Sequence, residues 1–255
     1  MSTVRLGFQL FDSIRFHTAT PSHPLSSYKR SGSRPTYALV TGGSAGIGNG
    51  IAEELVRNGF GVILLGHLAD EVEASAARLR ALAGNDSVST IILDAKVATP
   101  EEIGAAIENT ITSRELQLSI LVNNVGSNPV AHPPFRPLAS YSAHDIDAVI
   151  NLNSRFMARL TAVVLPILSK RDHQDKTSDE AESQRSLILN IASGGMYGSP
   201  WLVIYGATKA FNWAFSNSLA MELEAQRETQ NVHCFGKGAA ALAADLPKGI
   251  WRGGP

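Results

Sequence analysis

A single cysteine, Cys234, stands in a chain of 255 residues, so no internal disulfide can form, and no Cys/His cluster has the spacing of a metal site. This argues against a disulfide scaffold or a zinc-based mechanism and points to a reducing compartment. Charge of one sign is also missing. Lys and Arg number 22 against 23 Asp and Glu, a formal net charge of -1, so there is no global basic field for nucleic acid and no acidic tail. Selectivity must come from a local site. No run approaches the roughly 18 apolar residues that span a bilayer, which leaves peripheral attachment as the only membrane contact the sequence suggests.

The chain contains enough apolar residues, 44%, to bury one substantial core, and its length calls for one domain. The first 35 residues are rich in Ser, Thr, Pro and Arg, with Asp12 the only acid. Leu6, Leu10 and Ile14 could share a helix face flanked by Arg5 and Arg15, which gives a mitochondrial-presequence flavour. The plainer reading, preferred here, is a poorly structured leader over residues 1–35. From Thr36 the sequence alternates short apolar runs with helical stretches, the pattern of a parallel sheet covered on both faces. Apolar runs at 37–40, 62–65, 91–93, 120–122, 187–191 and 232–235 predict six strands within an α/β domain over 36–236. The polar segment 169–186 reads as a solvated loop at the amino edge of that sheet.

Between the first strand and its helix lies Thr41-Gly42-Gly43-Ser44-Ala45-Gly46-Ile47-Gly48, where a dinucleotide's pyrophosphate would meet free backbone N–H groups. Gly42 suits a tight turn, Gly46 lets backbone approach phosphate, and Gly48 allows the helix to pack closely, with Ser44 and Ile47 completing the cradle. An ordinary strand-helix turn is the bland alternative. After the second strand, where an Asp or Glu would bind the adenosine ribose and repel a 2′-phosphate, stand Gly66 and His67, which favours NADP(H) over NAD(H). Asp94, at the end of the third strand, is placed to meet adenine or simply to cap a turn. Asn123-Asn124-Val125-Gly126 follows the fourth strand, where Asn amides can tie strands together and Gly126 lets the chain pass close to a cofactor. The same four residues are also good turn chemistry.

Tyr205-Gly206-Ala207-Thr208-Lys209 opens a helix, and Tyr205 and Lys209 share one face at i, i+4, while Phe211, Phe215 and Leu219 are expected to form its buried stripe. An ammonium one turn from a phenol stabilises the phenolate, the condition for a tyrosine acid/base near neutrality. Ser193 follows the fifth strand, placed to hydrogen-bond a substrate oxygen or merely to form a flexible strand exit. Asn153 could link Lys209 to solvent through a water, although a mid-helix Asn is often a tolerated polar residue.

These residues, in this order over about residues 36–235, resemble the short-chain dehydrogenase/reductase family. The resemblance implies a Rossmann-type three-layer fold. It assigns Tyr205 as acid/base, Lys209 as ribose binder and activator of the tyrosine, Ser193 as substrate orienter, and Asn153 as part of a proton relay. Asn-Asn-Val-Gly at 123–126 and Asn153-Ser154 look most like the branch of very-long-chain 3-oxoacyl-CoA reductases and 17-beta-hydroxysteroid dehydrogenases. Those relatives commonly use NADPH and often sit on the endoplasmic reticulum. The resemblance also implies a homo-oligomer formed through the helices around Asn153 and Tyr205. One departure stands out: Gly236-Lys237-Gly238 occupies the place of the family's Pro-Gly turn, and residues 237–255 read as an atypical tail without the seventh strand or substrate lid. The expected function is NADP(H)-dependent interconversion of a ketone and a secondary alcohol on a lipid-like, steroid-like or secondary-metabolite substrate, in the cytoplasm or at the endoplasmic reticulum surface. The alternative is a truncated dinucleotide-binding protein with little turnover.

Overall fold

Residues 24–31, 34–127, 133–170 and 184–238 are described by a computed structural model of the chain. Six parallel strands, β1 (Thr36–Thr41), β2 (Gly61–Gly66), β3 (Val88–Ile92), β4 (Gln117–Asn123), β5 (Ser186–Ala192) and β6 (Val232–Gly238), form one sheet in the order β3-β2-β1-β4-β5-β6. The chain runs outward from β1 to β2 and β3, then returns to β4 on the other side of β1. The carboxyl ends of β1 and β4 therefore flank a topological switch point, where an open parallel sheet leaves a crevice for ligands.

Among the described residues six α-helices accompany the strands: α1 (Gly46–Arg57), α2 (Ala69–Ala83), α3 (Pro100–Ile107), α4 (Ala143–Ile150), α5 (Phe156–Ser169) and α6 (Val203–Ala225). Successive residues of each strand point to opposite faces. Ala38, Val40, Val62 and Leu64 pack beneath α1 and α2 with Ile51, Leu55, Val72 and Leu79. Leu39, Ile63 and Leu121 face the other way, against Ile103 of α3, Leu160 and Val164 of α5 and Leu223 of α6. These two cores and the sheet between them are the three layers of the expected Rossmann-type fold.

Several local expectations shift. β3 starts at Val88, three residues before the apolar run, because Ser89 and Thr90 belong to an edge strand paired only with β2 among the described residues. β6 continues through Gly236 and Lys237 to Gly238 in register with β5, so the atypical segment begins inside the sheet rather than after it. Phe211 is 44% exposed and stacks on Phe215; the buried stripe of α6 consists instead of Gly206, Thr208, Lys209, Asn212, Ser216 and Leu223. The polar insertion falls mostly outside the described residues, but Gln184 and Ser186 at its end are buried. Residues 1–23 and 239–255 also lie outside the described residues, and with them most of the expected leader and tail.

The part of the leader that is described is docked. Leu25–Tyr28 forms one 3-10 turn that buries Tyr28 to 1% exposure and brings its hydroxyl 3.1 Å from His233 Nδ1 on β6. Arg30 then donates to Arg185 O at 3.2 Å and to Ser186 Oγ at 2.6 Å, while its N–H donates to Thr36 Oγ1. This strap joins the start of β1 to β5 and β6. Replacing Tyr28 with Ala should cost about 3–5 kcal/mol, the usual range for truncating a buried large aromatic, and Tyr28→Phe about 1 kcal/mol for the lost hydrogen bond. Urea unfolding monitored by circular dichroism measures both; an unchanged midpoint for Tyr28→Ala would show that the strap lies outside the cooperative unit.

Candidate functional site

The site begins where β1 ends. Thr41 is buried, and its hydroxyl donates to Val122 O at 3.2 Å while accepting the N–H groups of Asn124 at 2.9 Å and Val125 at 3.0 Å. Asn124 returns the contact, its side-chain amide donating to Thr41 O and Gly42 O at 3.0 and 3.2 Å. The exits of β1 and β4 are thus laced together. Gly42 and Gly46 have φ of +62° and +55°, a region costly for side chains that contain a Cβ. A methyl on Gly48 would collide with Gly42 O and Asn124 Nδ2, so α1 can approach the lacing only with glycine there. Ala45 precedes α1 in extended conformation without a side-chain cap. The first-turn N–H groups consequently face the crevice without a side-chain acceptor, next to the positive end of the helix dipole.

The crevice is a cleft of about 630 Å³, within the range of small-molecule sites. Gly42, Ser44, Gly46 and Ile47 form one wall; Gly66, His67, Asp94 and Lys96 lie at one end; Asn124, Val125, Gly126 and Ser127 lead to Tyr205 and Lys209 at the other. The cleft therefore brings together nine of the twelve residues assigned from the sequence to the cofactor or to catalysis, with Gly66 and His67 beside them. Gly48, Asn153 and Ser193 are not among the lining residues; Gly48 packs against Gly42 and Asn124, and Asn153 against Gly126, which are. Asp94 lines the cleft and also accepts the Lys96 N–H at 2.9 Å within its own turn. Asn123 ties strands, its amide donating to Asn190 Oδ1 on β5 at 2.8 Å and to Thr161 Oγ1 on α5 at 3.0 Å.

Asn153 is fully buried, and it sits in a wide turn, Asn151–Arg155, that interrupts the helical run between α4 and α5. Its amide donates to Val149 O and Ser127 O, both at 3.0 Å, and its Oδ1 accepts the Ser127 N–H at 3.1 Å. The chain passes over Asn153 and Lys209 at Gly126, where a methyl would lie 2.6 Å from Asn153 Oδ1 and 2.9 Å from Lys209 Nζ. No other residue fits between them. Lys209 is 4% exposed and donates to Ile191 O at 3.1 Å, its one hydrogen bond among the described residues. An ammonium has three N–H donors, so two remain for whatever enters the cleft. Its nitrogen is 5.7 Å from the centre of the Tyr205 ring. Burial pulls the Lys209 pKa from the ordinary 10.5 to about 8, a cost to the charged form on the order of 3 kcal/mol.

Ser193 follows β5 in extended conformation, and its Oγ accepts the Gly195 N–H at 3.2 Å. A Cβ on Gly195 would lie 3.6 Å from that oxygen and 3.5 Å from Tyr205 Cε1, which places serine hydroxyl and tyrosine ring beside the same glycine. Thr41 and Ser127 were not singled out as functional from the sequence. Thr41 is legible in hindsight as a polar residue ending an otherwise apolar strand, but Ser127 acts through its backbone, which residue type does not reveal.

A nicotinamide dinucleotide fits these residues on three observations. The first turn of α1 lacks a side-chain acceptor, a methyl at Gly46 would meet nothing within 4 Å because it would project into open cleft, and two Lys209 donors remain. Ser44, Gly46 and Ile47 would take the pyrophosphate, Asp94 the adenosine end, and Asn124, Gly126, Tyr205 and Lys209 the nicotinamide end.

The family model for short chain dehydrogenases matches residues 36–248. The chain is 31% identical to a very-long-chain 3-oxoacyl-CoA reductase of Coccidioides immitis (strain RS), over 84% of this chain and 54% of that protein. It is likewise 31% identical to very-long-chain 3-oxoacyl-CoA reductase-B of Danio rerio, over 77% and 58%. The chain thus spans somewhat more than half the length of the curated relatives it matches. Among solved structures, a short-chain dehydrogenase from Sphingobium yanoikuyae in complex with NADPH has a TM-score of 0.63 at 28% identity, covering 80% of this chain and 70% of that one. The 3-ketoacyl-(acyl-carrier-protein) reductase of Brucella melitensis, complexed with NADH, shows the same fold, with a TM-score of 0.65 at 23% identity over 80% and 74%. The chain belongs to the short-chain dehydrogenase family. Its similarity lies near the very-long-chain 3-oxoacyl-CoA reductase branch.

Two measurements test the geometry. Thr41→Val keeps the shape but strands two half-buried N–H groups, so urea unfolding should show a loss of about 1–3 kcal/mol; no loss would mean that the lacing bonds are dispensable. Lys209→Met removes a base whose folded pKa lies below its unfolded one. In the wild type the penalty is full below about pH 8 and vanishes above 10.5, so stability relative to Lys209→Met should rise through that window. The variant is the necessary reference because Cys234, its thiol pushed up to about 12 by burial, contributes the opposite slope as pH rises past 9.0. Parallel pH-stability curves for the two proteins would contradict a buried Lys209 charge.

Proposed function

We propose that the chain is an NADP(H)-dependent oxidoreductase that interconverts a ketone and a secondary alcohol on a lipid-like, steroid-like or secondary-metabolite substrate. The observation that carries the reading is the convergence of Tyr205 and Lys209 on the end of a cleft whose other wall is the first turn of α1. A bound nicotinamide supplies or accepts the hydride. Every other step falls to the chain's own groups. Ser193 Oγ, released from or sharing its bond to the Gly195 N–H, donates a hydrogen bond to the substrate oxygen. The Tyr205 hydroxyl donates the proton to that oxygen in reduction and accepts it in oxidation. Lys209, held by Ile191 O, keeps its ammonium where negative charge on the phenol oxygen develops and offers its free N–H groups to a ribose. Asn153 fixes the backbone at Ser127, and with it the passage of Gly126 over Lys209.

The cofactor preference rests on the absence of a carboxylate at Gly66 and His67, with Asp70 and Glu71 placed in the first turn of α2 and outside the cleft wall. The lipid-like substrate class draws on the very-long-chain 3-oxoacyl-CoA reductases among its relatives. Exposed Ile150, Val203, Phe211 and Met221 on α4 and α6 support a homo-oligomer formed through those helices. No helix among the described residues is long and apolar enough to cross a membrane, and the proposed location is the cytoplasm or the endoplasmic reticulum surface by peripheral contact. The Gly236-Lys237-Gly238 end of β6 favours a second reading, a dinucleotide-binding protein with little turnover.

Tyr205→Phe should lower kcat by about 10²–10⁴-fold, the usual contribution of a general acid, while leaving the Kd for NADPH within about twofold. Steady-state kinetics and fluorescence titration read the two separately. Retained turnover would remove Tyr205 from the acid/base role.

A further inference from the structure

The open end of the cleft holds a cation that the proposed chemistry leaves unused. Leu93 N–H donates to Gly66 O at 2.9 Å, so the exits of β2 and β3 are neighbours, and Lys96 stands three residues beyond that bond. The chain there folds back on itself: the N–H groups of Val97 and Ala98 donate to Asp94 O, and Asp94 Oδ1 accepts the Lys96 N–H. The turn directs Lys96 into the wall of the cleft beside Gly66 and His67. Its ammonium is 3.9 Å from Asp94 Oδ2, a loose pair with both side chains more than a third exposed. Such a pair contributes little and yields readily to a stronger anion. Across the same opening, Ser44 Oγ lies 3.8 Å from where a Cβ on Gly66 would stand.

Lysines line this cleft at two places only among the described residues, Lys209 at the buried end and Lys96 at the open end, and it contains no arginine. Gly66 leaves room beside β2, and Ser44 offers a hydroxyl there. Among the described residues that line this end, an anion meets one ammonium and one imidazole, and the one acid is Asp94, the loose partner of that ammonium.

We propose that Lys96 is the residue that selects the phosphorylated cofactor, leaving Asp94 to pair with the 2′-phosphate of the adenosine ribose, with Ser44 Oγ as a second donor. The proposal rests on the NADP(H) reading given above and names the side chain that supplies its charge. A charge-assisted bond to phosphate is among the stronger polar contacts, and at a half-exposed site it is weakened by salt.

Isothermal titration of the full-length chain with 2′,5′-ADP and with 5′-AMP tests it without any need for turnover. Wild type should bind 2′,5′-ADP more tightly, with the advantage shrinking as ionic strength rises. Lys96→Met should lose about tenfold in affinity for 2′,5′-ADP and little for 5′-AMP, and Lys96→Arg should recover most of the difference. Equal losses for both ligands in Lys96→Met would reduce Lys96 to a structural role, and no loss for either would exclude it from the site. If wild type fails to distinguish the two ligands, the NADP(H) preference itself falls and the proposal falls with it.

Discussion

The hydroxyl of Thr41 takes two backbone N–H groups from the exit of β4 and gives its proton to Val122 O, and the cleft is built outward from those three bonds. A parallel sheet opens a crevice at its switch point, but nothing in the sheet's own hydrogen bonding fixes how the two departing chains run. Here β4 cannot leave in another direction without stranding two half-buried donors. Asn124 then closes on the glycine turn, Gly48 lets α1 approach, and Gly126 is delivered to the one point where it can cross above Asn153 and Lys209. The end of the cleft at the glycine turn and the end at Tyr205 and Lys209 share this origin.

A second set of bonds supports the Tyr205 and Lys209 end from below. Asn123 reaches α5 and β5, and Asn190 on β5 reaches Ser216 on α6 at 2.9 Å, so a row of buried amides and hydroxyls crosses from Thr161 to the helix that carries Tyr205 and Lys209. Buried polar groups of this kind fix geometry when they are paired. They make the position of α6 relative to β4 and β5 depend on hydrogen bonds as well as on packing. Lys209 can then be held as a buried base by a single carbonyl, its remaining donors turned toward the cleft.

Much of this was legible in the sequence because it depends on local pattern. Alternating apolar runs announced a parallel sheet, and the glycine spacing after Thr41 announced a helix start open to phosphate. Tyr205 and Lys209 share a helix face by spacing alone. What was not legible depends on tertiary context. Phe211 read as core because it is apolar at a helical interval, yet the sheet takes the small and polar face of α6 instead. β3 was placed late because an edge strand tolerates Ser89 and Thr90, which an apolar-run criterion passes over. The wide turn at Asn151–Arg155 that buries Asn153 has no signature in residue type, and the strap through Tyr28 depends on His233 more than two hundred residues away. Lys96 stood in the sequence as one lysine among many until the hydrogen bond from Leu93 to Gly66 placed it at the mouth of the cleft.

The central claim is that this cleft supports reduction of a ketone, and the most direct measurement is the consumption of NADPH, followed by absorbance, when the purified chain is offered 3-oxoacyl thioesters, ketosteroids and aromatic ketones, with NADH in parallel. Turnover with at least one of these classes, faster with NADPH than with NADH, is the predicted result. Tight binding of NADPH with no turnover on any of them would contradict the catalytic account and leave a protein that only holds the dinucleotide.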